Sequence, residues 1–85
     1  MNENDVRKQI REKRKIAANR LREARINAGY PSANHASITM GWSLKTYFQH
    51  EEGLKSFDID TAKKYAKAFK VSSEHLHPYA DNSDV

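Results

Sequence analysis

The sequence predicts an all-α fold of about five helices. Three observations carry that expectation. Only three Gly and two Pro occur in 85 residues, and they fall between stretches whose apolar residues recur at spacings of three and four. Ser32, Ser43 and Asp58 follow breaks in the pattern and are good N-cap residues. A charged content of 31% favours helices joined by short loops over buried strands.

The first element runs from about Asn4 to Ala28 without a breaker. Ala17, Leu21, Ala24 and Ala28 lie on one helical face, and Val6 and Ile10 continue it upstream past Lys13 and Arg14. Gly29 is placed to end this helix. A second helix follows Ser32, with Ala33, Ala36, Ser37 and Met40 on a narrow face of small residues, and Gly41 closes it. The third runs from Leu44 to Glu52 and stops at Gly53, with Tyr47 and Glu51 on one face and Leu44 and Phe48 beside it. It has little apolar stripe, so neighbours must hold it. The fourth begins at Asp58, with Phe57 and Ala62 spaced as a hydrophobic staple. Ile59, Ala62, Tyr65, Ala66 and Phe69 make the cleanest apolar face in the chain, with Asp60, Lys63, Lys64, Lys67 and Lys70 opposite. A last turn over 73–77 carries Leu76 inward, and 78–85 reads as a polar tail. The expected organisation is a basic helical extension over 1–15, a folded unit over 16–77 and that tail.

Composition bounds the function. A chain this short supports one modest core. It has no Cys, which excludes disulfides and thiolate zinc sites. No apolar run approaches the ~20 residues of a membrane span and no signal peptide is visible, so a soluble, cytoplasmic protein is expected. Residues 1–30 carry nine Lys/Arg against four acids, 31–57 two of each, and 58–85 four against five. The positive charge is therefore N-terminal, which fits a polyanionic partner such as nucleic acid but equally a solvated helix face. The four histidines show no metal-ligand spacing: "HEEG" lacks the second His of a zincin motif. There is no glycine-rich phosphate loop and no triad spacing. No metal, no cofactor and no catalysis are expected.

Two short helices separated by Gly41-Trp42-Ser43 describe a helix-turn-helix. In that motif the second helix enters the major groove. Trp42 and Tyr47 suit its buried anchors, leaving Leu44, Lys45, Thr46, Phe48 and Gln49 outward. Lys45 can donate to guanine, and Gln49 can pair bidentately with adenine. Leu44 or Phe48 could meet a thymine methyl. The same pattern also fits an ordinary surface helix of a small bundle.

From about Leu21 to Leu76 the chain resembles the phage-repressor type of helix-turn-helix domain, the lambda-repressor-like family. The resemblance lies in "LREARINAGY", in "SANHASITMGWS" with Gly41 at the turn, in "SLKTYFQHEEG", and in "DIDTAKKYAKAFKVSSEHL". A subgroup from phages and bacterial chromosomes has "GW…TY…HE.G" and "YA.AF.VS" in the same order. The resemblance implies base contacts from Leu44, Lys45 and Gln49, with Phe48 beside them. It implies phosphate contacts from Ala33 and Asn34 at the start of the second helix, from Thr46, and from Lys55 and Ser56 in the following loop. Ser43, which opens the third helix, joins that phosphate set. Ser37, Gly41, Trp42 and Tyr47 form the motif's core. The chain departs from the family pattern at Ser37, where Ala is usual, at Lys70, where Gly is common, and at Leu44, where most relatives carry a polar residue.

The implied function is a sequence-specific transcriptional regulator, repressor-like, that binds double-stranded DNA at a palindromic operator as a homodimer. Dimer contacts would come from the N-terminal extension or the Leu76–Tyr79 end. For the extension itself three roles stay open: lengthening the first helix, lying on phosphate, or packing on a partner protein. The alternative from another class is a protein-interaction module on the same scaffold, such as an antitoxin or an anti-repressor partner, with Ile38, Phe48 and Tyr79 as contacts.

Overall fold

A computed structural model of the chain describes residues 3–77, with side chains from residue 5 onward. Among the described residues there are five helices and no strand: α1 (Glu3–Asn27), α2 (Ala33–Met40), α3 (Leu44–Glu51), α4 (Ile59–Phe69) and α5 (Ser73–Leu76). The fold is all-α, as the sequence predicts. No described helix is long and apolar enough to cross a membrane.

Local chemistry sets the boundaries. Four of the helices open on a side chain that accepts a free first-turn N–H. Ser32 Oγ takes His35 N–H at 3.0 Å, Ser43 Oγ takes Thr46 N–H at 3.3 Å, Asp58 Oδ1 takes Thr61 N–H at 2.8 Å, and Ser72 Oγ takes His75 N–H at 3.1 Å. The Asp58 cap draws that carboxyl below its usual pKa, chiefly through the Thr61 backbone hydrogen bond. Gly41 ends α2 in the left-handed region at φ 74°, a conformation with little cost only for glycine. Lys70 occupies the same region at φ 60° at the end of α4. Lysine there keeps a left-handed cap at a steric cost that glycine would avoid.

The core lies where α1 packs on α3, α4 and α5, with α2 packed on α3. Ala17, Leu21 and Ala24 meet Ala36, Tyr47, Phe57, Ala62, Tyr65, Ala66, Phe69 and Leu76. The small residues of α1 and α2 admit close approach, and aromatic rings fill the centre. Trp42 sits 4.8 Å from Tyr65, 5.4 Å from Tyr47 and 5.8 Å from Phe69, and Tyr47 lies edge-on to Tyr65 at 5.2 Å. The staple expected at Asp58 is in place, with both Phe57 and Ala62 buried.

Three details differ from the sequence reading. Ala28 is exposed, because α1 ends at Asn27 and the chain turns through Gly29 at φ 98°. Ile59, at the first position of α4, is 37% exposed and lies at the margin of the core. Leu76 is fully buried, so it is not available as a dimer contact; Tyr79 lies outside the described residues. Helix α1 runs unbroken through residues 15 and 16, so the basic segment does lengthen the first helix. Val6 and Ile10 continue its apolar face but stay 43% and 49% exposed.

Candidate nucleic-acid interface

The arrangement begins with α2 and α3, which pack on each other across the three-residue turn Gly41-Trp42-Ser43. Behind α3, Tyr47 is fully buried and Trp42 half-buried over it. In front, Leu44, Lys45, Thr46 and Phe48 are exposed and Gln49 is partly so. The expected anchors and the expected outward residues therefore separate onto opposite sides of one helix. Ser37 is buried in α2 with its hydroxyl unbonded, and Gly41 forms the turn.

The rear of α3 is fixed by charge as well as by rings. Arg25 of α1 and Glu51 of α3 are both buried. Arg25 Nε donates to both carboxylate oxygens at 3.1 Å, and a terminal nitrogen donates to Oε1 at 2.7 Å. The other terminal nitrogen donates to the Tyr30 carbonyl at 2.8 Å. Burial works against the Arg25 charge, but the Glu51 carboxylate more than offsets it and holds that pKa above its ordinary value. Burial, and then the same carboxylate, push the Tyr47 hydroxyl upward. Arg22 adds a second cation, 3.8 Å from Glu51 and 3.5 Å from Glu52.

These contacts reset the electrostatics of the helix. Residues 43–52 contain one lysine against two glutamates, the wrong balance for a polyanion. Arg22 and Arg25 compensate both glutamates from behind, so the outward face presents Lys45 as its charge.

The far end of α3 is tied to the loop after it. The Gln49 carbonyl accepts from the N–H groups of Leu54 and Lys55 at 2.9 and 3.2 Å, which places the exposed Lys55 and Ser56 directly after the helix. Gly53 turns this loop at φ 74°, a backbone that favours glycine, and lies beside α1, where a Cβ would stand at ordinary contact distance, 3.5 Å, from Ala18 Cβ. His50 Nδ1 lies 2.8 Å from the Tyr65 hydroxyl. Burial, then the neighbouring Lys64 and Lys55, lower the His50 pKa against an opposing pull from Asp58. Burial alone raises the Tyr65 hydroxyl to about 12. The Lys64 ammonium sits over the rings of Trp42 and Tyr65 at 5.7 and 5.5 Å.

The phosphate candidates occupy suitable chemistry. Ala33 and Asn34 stand in the first turn of α2, where N–H groups lack intrahelical acceptors and the helix dipole favours anions. Ser43 accepts from Thr46 N–H, which leaves its own hydroxyl proton to donate. The Arg25–Glu51 pair and the His50–Tyr65 contact are not apparent from the residue pattern. The nearest signal is Arg25's place one turn beyond Leu21 on the buried side of α1. Among the described residues no group of three or more His, Cys, Asp or Glu could hold a metal ion.

Comparison with protein-family models, with curated proteins and with solved structures finds no match. The reading of this surface therefore rests on its own residues.

Proposed function

We propose that this protein is a sequence-specific, non-catalytic DNA-binding regulator of transcription that lays α3 in the major groove and binds a palindromic site as a homodimer. One observation carries the reading: α3 is clamped from behind by Tyr47, Trp42 and the Arg25–Glu51 pair, while Leu44, Lys45, Phe48 and Gln49 face outward together. A helix of eight residues with little apolar stripe does not hold itself. Here its rear contacts fix it, and its front is left to hydrogen-bond donors, an acceptor and two apolar groups that match base edges. Ala33, Asn34, Ser43, Thr46, Lys55 and Ser56 would set its register on phosphate.

The deciding experiment is a selection from random duplexes at moderate salt. Enrichment of a two-fold-symmetric sequence, with affinity falling steeply as salt rises, supports the reading. Lys45→Ala with Gln49→Ala should then flatten discrimination among sequences. If no sequence is enriched, the proposal fails. The interaction-module reading is favoured by one feature, the 71% exposure of Ile38 on α2, an apolar side chain that the DNA reading does not use.

A further inference from the structure

A pocket of about 180 Å³ lies between the middle of α1, residues 55–57 and His77. Ile10, Ala17 and Phe57 supply its apolar wall, and Lys13, Arg14 and Lys55 supply its charge. No carboxylate stands among the described residues that line it. The pocket joins positions some forty residues apart in sequence, so it is a product of the fold rather than of one helix.

Two features of this pocket are unexplained by folding alone. Ile10 remains 49% exposed at its mouth. Arg14 Nε is shielded from solvent yet makes no hydrogen bond. A buried donor without an acceptor is costly, and native structures rarely leave one. A guanidinium is built to receive a carboxylate in its planar fork. The volume sets the size of the rest of the ligand. A cavity of roughly 150 Å³ takes one benzene ring, so this one takes a single ring or a short alkyl chain, with the polar head turned toward Arg14.

We propose that this pocket binds a small aryl or short-chain alkyl carboxylate, its apolar part against Ile10, Ala17 and Phe57 and its carboxylate on Arg14. The Arg14 guanidinium selects the acid over a neutral analogue of the same shape. The pocket's size, about 180 Å³, suits a small molecule rather than a peptide segment. The pocket shares Lys55 and Ser56 with the proposed phosphate contacts, but its ligand can be tested without DNA.

The probe is 3-phenylpropanoate, titrated into the full chain and followed by amide chemical shifts, with 3-phenylpropan-1-ol as the uncharged match. Saturable shifts are expected at residues 10, 14, 17 and 55–57, with a dissociation constant in the millimolar range, about −4 kcal/mol. The alcohol should bind about tenfold or more weakly, and Arg14→Gln should weaken the acid by about 10- to 100-fold, as loss of a charged hydrogen bond does. Ile10→Ser alters an exposed position, so the fold is retained; it should weaken acid and alcohol alike. Should Arg14→Gln unfold, the acid–alcohol comparison and Ile10→Ser still decide. Absence of saturable shifts, shifts centred elsewhere, or equal binding of acid and alcohol would each overturn the proposal.

Discussion

Replacing Glu51 with alanine tests what holds α3 in place. The change leaves Arg25, which is 6% exposed, charged and buried without its carboxylate. Three hydrogen bonds to that carboxylate, at 2.7 to 3.1 Å, disappear together. Breaking a buried pair from one side costs about 3–5 kcal/mol. A domain of this length holds roughly 4–13 kcal/mol in total, so the loss is a large share of its stability. With a urea slope near 1 kcal/mol/M, the midpoint should move down by roughly 3 M or more. At the low end of total stability the variant is unfolded in buffer. Unfolding followed by circular dichroism and by Trp42 fluorescence gives the number. A double variant, Arg25→Met with Glu51→Met, should recover part of the loss, since no charge is then stranded. Recovery should be incomplete, because the Tyr30 carbonyl also loses its donor. A cost below about 1 kcal/mol for Glu51→Ala, the range of solvent-exposed pairs, would refute the clamp. So would a double variant no more stable than Glu51→Ala.

The caps, His50 and the outward side of α3 set four further outcomes. Lys70→Gly should stabilise by about 0.5–1 kcal/mol, because glycine relieves the left-handed cost at φ 60° while giving back some chain entropy; thermal melting reads it, and a lower melting temperature would contradict the strain argument. Gly41→Ala should cost about 1–2 kcal/mol from backbone alone, since nothing lies within 4 Å of an added Cβ; a loss well beyond that range would mean that the turn is packed rather than merely bent. His50 binds a proton less readily folded than unfolded, so its contribution to stability is complete above the unfolded value near 6.5 and is lost as pH falls below it. His50→Gln should flatten that slope in urea melts, and an unchanged slope would remove His50 from the account. Lys45→Ala and Gln49→Ala should each leave stability within about 0.5 kcal/mol yet cost about 1–3 kcal/mol of discrimination at one base pair on the selected duplex; equal losses on every sequence would make them phosphate contacts instead.

The features legible in the sequence were local ones. An N-cap is decided within four residues, so Ser32, Ser43 and Asp58 are legible in the sequence itself. Gly41 and Gly53 could be placed for the same reason, since a reversal of the chain needs its special backbone at that spot. The face of α4 was legible because five apolar residues repeat in one period, and only Ile59, on the first turn, strays to the margin. Ala28 misled because periodicity extends a face past the point where the helix stops. The charged contacts were not legible. Arg25 sits among basic residues that look alike in composition, and its place one turn beyond Leu21 says which side it lies on but not which carboxylate it meets. Its partner is 26 positions away, and only the crossing of α1 behind α3 brings the two together. The pocket beside Ile10 has the same origin.

That crossing links stability to the proposed function. A helix that reads DNA must present cations and neutral polar groups, and α3 ends on Glu51 with Glu52 as its cap. If those carboxylates faced outward, they would repel phosphate close to Lys55. Turned inward, Glu51 must meet a cation or lose its charge, and Arg25 is that cation. Glu52, 42% exposed on its side chain, is met by Arg22 at 3.5 Å. The basic excess of α1 is therefore not one undivided surface. Arg22 and Arg25 serve α3, while Lys8 and Arg11 are exposed upstream and Arg14 turns to the pocket beside Ile10. Arg22→Gln separates the two roles. It should cost less than about 1 kcal/mol of stability, as an exposed pair does, yet weaken binding to any duplex by exposing Glu52 to phosphate. A stability loss as large as that of Glu51→Ala would place Arg22 in the clamp, and unchanged duplex affinity would mean that Glu52 lies away from the bound surface.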